Sequence, residues 1–234
     1  ALSRLVFLPL LAGALLAACQ PAGPGAETVW PHDASDLAAD PAVRYGRLEN
    51  GLRYAILANE TPPNVVSVRM VFNMGSLGEA DDQRGVAHFI EHMAFNGSTN
   101  LAEGEMIPLL ERHGLQFGPD TNAFTGYDTV GYQLDLPEAD AESIDTALFI
   151  MRETASELVF DADAIDRERG VILSEERFRN TAIRRWSTAL QYFQLPGTLI
   201  PERDPIGTVE ILETVQRDHF VDYYENFYVP QRGM

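Results

Sequence analysis

The sequence predicts an α+β fold, with short strands gathered before residue 137 and helices dominating after it. Three observations carry this. Asn50-Gly51 stands between two apolar runs, a strong short-range hairpin signal. Val66, Val68, Met70 and Phe72 alternate with other residues, which is strand period and not a helix face. From Glu142 onward, apolar residues recur every three or four positions. At 234 residues, 45% hydrophobic and 22% charged, the chain can build one well-buried domain or two small ones.

The amino terminus reads as a targeting segment. Leu5 to Ala18 is an apolar run behind Arg4, too short to span a bilayer but the length of a signal-peptide core. It ends in Leu16-Ala17-Ala18-Cys19, which is similar to a bacterial lipobox and makes Cys19 the expected lipidation site. Residues 1–18 are therefore expected to be a lipoprotein-type signal peptide. Residues 19–42, rich in Pro and Gly at their start, are expected to be a tether, and 43–234 a folded module. This places the module in the bacterial cell envelope, facing the periplasm, with the membrane touched only through the lipid anchor. Cys19 is the sole cysteine, so the body has neither a disulfide nor a thiolate metal site.

The formal charge is −18, from 17 basic and 35 acidic residues, and there is no lysine. That balance argues against nucleic acid as a partner and disfavours anionic substrates.

Taken in order, Tyr45–Leu48 and Leu52–Leu57 are the expected hairpin strands, and Val66–Phe72 the third strand. The polar run Glu79-Ala80-Asp81-Asp82 then turns the chain into a helix containing His88. Glu103 to His113 is helical by the spacing of Met106, Leu109 and Leu110, with Gly114 at its end. His113, at that terminus, is better explained as a cation near a helix C-terminus than as a ligand. Thr121–Thr125 and Thr129–Leu136 form a further strand pair, closed by Pro137. Glu142–Val159 is an amphipathic helix whose core side is expected to hold Ile144, Ala147, Leu148, Met151 and Leu158. A second helix is expected to run unbroken from Asp163 past Trp186 toward Tyr192, and Val209–Tyr228 to form one or two more.

The chemistry concentrates in Gly85-Val86-Ala87-His88-Phe89-Ile90-Glu91-His92-Met93. His88 and His92 stand at i and i+4, one turn apart on a helix, where two imidazoles can reach one Zn²⁺ at about 2.0–2.1 Å. Glu91 then lies beside the metal and can take a proton from a water bound there, the task of a general base. The order H-x-x-E-H is the inverted form of a metallopeptidase signature. Two ligands do not complete a site, and a catalytic zinc needs a third. Ile165, Glu168, Ile172 and Glu175 recur at i, i+3, i+7 and i+10, which sets two carboxylates in an otherwise buried stripe. An unpaired buried carboxylate is costly, so a cation, or Arg167, Arg169 or Arg177, is expected nearby.

These residues carry a family resemblance. Asn50-Gly51-Leu52-Arg53-Tyr54, Gly85 through Gly97, Asn122-Ala123-Phe124-Thr125, and Glu168 through Glu176 occur in one order, and the stretch from Gly46 to Met234 resembles the N-terminal catalytic module of pitrilysin/insulinase-type zinc peptidases, the inverzincins. It is most similar to their bacterial periplasmic members. The resemblance implies a mixed sheet with helices mainly on one face and the His88 helix against it. It implies one Zn²⁺ held by His88, His92 and Glu175, Glu91 as general base, and Glu168 supporting a ligand from behind. Glu176 competes for the third position but points about a hundred degrees away from the Ile172 stripe. Asn122, Ala123 and Phe124 match the edge strand on which family members hold an extended peptide.

The activity so implied is zinc-dependent endopeptidase action on peptide or protein substrates. The alternative is a noncatalytic peptide-binding or assembly subunit of the same fold. Family modules of this kind join a second homologous half, in cis or in trans, that supplies an arginine and a tyrosine to the substrate. The chain stops where the next strand is expected, so the module reads as C-terminally incomplete.

Overall fold

The expected hairpin forms as β1 (Val43–Arg47) and β2 (Arg53–Leu57), antiparallel, with Gly51 at φ +99° in its turn. The computed structural model describes residues 30–116 and 118–234, so Cys19 and the expected signal peptide lie outside the described residues. The chain divides into two units, 1–39 and 40–234. The described part of the first holds one 3-10 turn, Pro31–Ala34. Among the described residues, the strands and α-helices all belong to the second.

β3 (Val66–Phe72) lies beside β5 (Val130–Leu136), and β5 beside β4 (Thr121–Thr125), in the order β3-β5-β4. The alternation read from the sequence sets the faces of this sheet. Met70 and Phe72 of β3 and Val130, Tyr132, Leu134 and Leu136 of β5 are buried. Where a mixed sheet is expected, every described strand pair is antiparallel, in two small sheets. The carboxyl-terminal residues add to the outer edge of β3: Val71 N–H donates to Met234 O at 2.8 Å and Met234 N–H to Val71 O at 2.9 Å.

Among the described residues, seven α-helices complete the fold: α1 (Val86–Met93), α2 (Met106–Arg112), α3 (Ala141–Ser156), α4 (Ala162–Arg179), α5 (Ala182–Gln194), α6 (Val209–Thr214) and α7 (Arg217–Phe227). α2 starts later than its apolar spacing predicts, because Gly104 takes φ +81° and ends helical geometry before it. Its last turn is followed by Gly114 at φ +77°, as expected of a residue just past a helix end. On α3 the buried face is Ala147, Ile150, Met151 and Thr154, at i, i+3, i+4 and i+7. Leu148, expected on that face, sits about a hundred degrees off it and is 53% exposed.

The single long helix expected from Asp163 is two helices. Thr181 leaves helical geometry (φ −88°, ψ 164°), and its hydroxyl caps α5 by accepting from Arg184 N–H at 3.2 Å. Such a cap lets the chain restart in a new direction.

α1 lies at the centre of the core. Val86, Ala87, Phe89, Ile90 and Met93 are buried, and the Phe89 ring meets Phe220 of α7 edge to face at 4.8 Å. Each such large side chain contributes roughly 1.5–3 kcal/mol by leaving water. Its amino end is held unusually: Gly85 has φ +98°, and an added Cβ would come within 2.9 Å of Gly207 Cα. Only glycine suits both the left-handed conformation and the backbone-to-backbone approach. Glu79, 4% exposed, accepts from Gly85 N–H at 3.0 Å and Ala87 N–H at 2.9 Å, so a carboxyl remote by six residues satisfies the open donors of the helix.

Candidate metal centre

α1 and α4 pack against each other, and their facing sides bring together titratable residues that lie 76 to 87 positions apart in the sequence. His88 Nε2 lies 3.6 Å and His92 Nε2 3.5 Å from the same oxygen of Glu175, Oε2. Ligand atoms of the three residues all fall within 4.8 Å of one another, a group that can hold a metal ion. Tetrahedral zinc with bonds of about 2.0–2.1 Å places its ligand atoms roughly 3.3 Å apart, so the observed separations need little closing. The donor set, two imidazoles and a carboxylate, suits zinc chemistry and leaves one tetrahedral position open.

His88 is buried, and its pKa falls to about 3, through burial first and then the neighbouring charges of His92 and Arg179. It is thus neutral across the physiological range, the form a metal ligand requires. His92 differs. Burial alone would lower its pKa, but the hydrogen bond and charge of Glu168, with Glu91 and Glu175, hold it above the ordinary value. Its Nδ1 lies 2.8 Å from Glu168 Oε1. The other Glu168 oxygen accepts from Asn96 Nδ2 at 3.2 Å. The His92 bond, more than its burial, keeps the Glu168 carboxyl below the usual carboxylate range. An ionised carboxylate only accepts, so Nδ1 carries the ring hydrogen and neutral His92 turns its Nε2 lone pair toward Glu175.

Glu175 is also paired with Arg179, one turn on, at 2.5 Å. The stripe carboxylates are therefore met by the two histidines and Arg179. Arg167 and Arg169 are engaged elsewhere, with Glu103 and with Asp166 respectively. Glu176 faces away from this group, toward Arg184 at 3.6 Å. His113 is likewise remote, its ring nitrogens at 3.4 Å from Ser143 Oγ and 3.2 Å from Thr146 Oγ1, where it ties α2 to α3.

Glu91 stands on the same helix as the two histidines. Burial raises its pKa, while the Thr125 hydroxyl, donating to Oε2 at 2.6 Å, and the charge of His92 act against that rise. Thr125 is the last residue of β4, so the edge strand and the carboxylate are linked directly. On β4, Asn122 and Phe124 are exposed and Ala123 is half-buried. The Phe124 ring lies over Gly131 of β5, where an added Cβ would come within 2.3 Å of it. Beyond β4 the order β3-β5-β4 has no further strand among the described residues.

Four residues at this site carry roles that the sequence did not reveal: Thr125, Asn96, Arg179 and Glu79. Arg179 was findable, since it stands at i+4 from Glu175. The other three act across turns or between elements.

Comparison with known proteins gives the family. Residues 54–192, more than half of the chain, match the family described as Insulinase (Peptidase family M16). The probable zinc protease PqqL of Haemophilus influenzae is 36% identical over 196 residues, which cover 84% of this chain and 21% of that protein. Among solved structures, the periplasmic protease PqqL from Escherichia coli superposes with a TM-score of 0.81 at 36% identity, over 84% of this chain and 22% of that one. The ferredoxin protease FusC, solved as a mutant in complex with Arabidopsis ferredoxin, gives a TM-score of 0.76 at 26% identity, over 82% of this chain and 21% of that one. The chain thus spans about a fifth of the length of the Haemophilus influenzae and Escherichia coli relatives. With the histidine pair, the facing glutamates and the match over 54–192 in agreement, the chain belongs to the insulinase family, peptidase family M16.

Proposed function

We propose that this chain is the metal-holding catalytic module of a zinc endopeptidase, with His88, His92 and Glu175 as ligands and Glu91 as general base. The observation that carries this is the placement of Glu91 beside the three-residue group, fixed by Thr125 and raised in pKa by burial. A carboxylate so tuned accepts a proton more readily than an exposed one. Zinc bound at such a site lowers the pKa of water and polarises a carbonyl. Glu91 takes the proton of the attacking water and returns it to the leaving amine. Glu168 holds His92 in the tautomer that exposes Nε2, and Asn96 fixes Glu168.

The β4 edge, with Asn122, Ala123 and Phe124, lies on the strand that ends at Thr125, so an extended peptide pairing there leads its backbone to Glu91. FusC, in its complex with ferredoxin, holds a protein, which fits a polypeptide substrate here as well. A second half is proposed to complete the substrate clamp, supported by the length of the relatives and by the separately solved first half of the E. coli protease, of which this chain covers 42%. Anchoring through Cys19 in the periplasm rests on the lipobox-like residues and on the periplasmic E. coli relative.

The test is elemental analysis of the purified protein together with hydrolysis of an unstructured peptide, with and without a chelator and with and without the second half. Stoichiometric zinc and chelator-sensitive cleavage are expected once both halves are present. Zinc without turnover under any of these conditions would leave a peptide-binding subunit instead.

A further inference from the structure

α5 is turned inside out. Its apolar residues Ile183, Trp186, Leu190 and Phe193 follow one another at i, i+3, i+7 and i+10, the pattern of a helix that buries one face. No residue of α5 is buried, and Ile183 (78%), Trp186 (65%) and Phe193 (83%) stand in solvent. The polar face is the one that meets the protein. Arg184 reaches Asp204 at 3.0 Å, and Gln191 Nε2 lies 3.4 Å from the hydroxyl of Tyr127. Phe178, at the end of α4, extends the apolar surface with 86% exposure.

The charge of this surface is also opposite to that of the chain. Acidic residues outnumber basic ones 35 to 17 overall, yet from Arg177 to Pro201 there are four arginines and no aspartate or glutamate. Arg179 and Arg184 are neutralised by Glu175, Glu176 and Asp204. Among the described residues Arg185 hydrogen-bonds only to Asn180, through its carbonyl and its side chain. An exposed apolar stripe flanked by arginine that lacks a carboxylate partner marks a binding surface for something apolar and acidic.

Its position says what that is. Tyr127, the α5 contact, sits in the turn between β4 and β5, two residues beyond Thr125, and Phe178 stands one turn past Glu175. The helix that carries the stripe is thus seated through its polar side on the turn after the edge strand, and Phe178 leads toward it along α4 from Glu175. We propose that Phe178, Ile183, Trp186 and Phe193, with Arg185, form a docking surface for a segment of the polypeptide substrate that is rich in apolar and acidic residues and lies away from the bond to be cut. The proposal rests on the peptidase reading above and adds a selectivity to it: acidic, apolar segments are favoured and basic ones rejected.

Trp186 itself reports on it. The chain has two tryptophans, Trp30 and Trp186, so Trp30→Phe leaves Trp186 as the sole tryptophan, whose emission is isolated from that of tyrosine by excitation at the red edge of the band. Titration of that variant with a 20-residue unstructured peptide containing Leu, Phe, Asp and Glu but no Lys or Arg is expected to shift the emission to shorter wavelength and saturate. Replacing each acidic residue of the peptide by Lys should weaken binding at least tenfold. Arg185→Ser and Phe193→Ser, both surface changes, should each weaken it severalfold with helicity and zinc content unchanged. Equal binding of the two peptides, a shift given only by anionic phospholipid vesicles, a shift that follows protein concentration alone, or no shift at all would each overturn the proposal. The readout needs neither zinc nor turnover. A peptide that shifts Trp186 but is not cut even with the second half present removes the peptidase reading, whereas one that is cut without a shift removes the docking surface.

Discussion

Removing Glu168 should weaken zinc binding without removing a zinc ligand. Its Oε1 accepts from His92 Nδ1 at 2.8 Å, and that bond decides which imidazole nitrogen offers its lone pair to the metal group. In Glu168→Ala, His92 loses its acceptor and can take the other tautomer or rotate. Loss of such a partner behind a ligand typically costs 10–100-fold in metal affinity, or about 1.4–2.7 kcal/mol. Glu168→Gln should fall between, because the amide oxygen still accepts from His92 while its NH₂ confronts the Asn96 amide that now donates to Oε2. The neutral amide also forgoes the strength of a charge-assisted bond. The assay is competition for zinc against a chromophoric chelator, with circular dichroism as a folding control. A second readout is the His92 pKa in metal-free protein by NMR. Glu168 is the chief agent raising it against burial, so it should drop in Glu168→Ala. Zinc affinity within twofold of wild type in a folded Glu168→Ala variant would refute the role given to Glu168.

Glu91→Gln is expected to keep its zinc and lose hydrolysis, since the amide is nearly isosteric but cannot take a proton; metal content and turnover measured on one preparation check this. His88→Ala, His92→Ala and Glu175→Ala should each lose zinc by leaving two protein ligands, while Glu176→Ala keeps it, and the reverse result for the two glutamates would reassign the third ligand. Glu79→Gln should destabilise the fold by about 1–3 kcal/mol at pH 5, because its NH₂ cannot accept from a backbone N–H of α1. Burial raises the Glu79 pKa from 4.5 to about 8, so between those values the unfolded chain ionises first and wild-type stability declines as pH rises. The gap between the two proteins in urea unfolding should therefore narrow from pH 5 to pH 8, and a constant gap would contradict the burial of a neutral carboxyl.

The features legible in the sequence were those that a short window determines. β3 occupies Val66–Phe72 as its alternation predicts, and the β1–β2 hairpin turns at Asn50-Gly51. The α1 histidines are one helical turn apart whatever packs around them, so their convergence needed no tertiary knowledge. The stripe that places Glu168 and Glu175 on the inner side of α4 is equally local. Its partners were less so: of the arginines offered as the alternative to a cation, Arg167 and Arg169 leave these carboxylates for Glu103 and for the backbone carbonyl of Val215, and Arg179 pairs with Glu175 instead. Thr125 and Asn96 reach their glutamates across 34 and 72 residues, and no periodicity encodes such a bond.

The misread helix shows where the limit lies. A run of helix formers from Asp163 to Gln194 looks continuous because propensity is summed over residues, whereas a break needs only one, and Thr181 supplies it by capping α5. Once the break exists, α4 and α5 need not share an inner side. Periodicity had reported correctly that residues 182–194 have an apolar and a polar face. It carried no information on which of the two would meet the protein, since that depends on what the neighbouring elements offer. Here they offer Asp204, Glu176 and the Tyr127 hydroxyl, and the polar face satisfies them. Burying Trp186 and Phe193 against those groups instead would have stranded carboxylates without a cation, at a cost above the gain from two apolar side chains. The apolar face is thus directed outward by the charges beneath it.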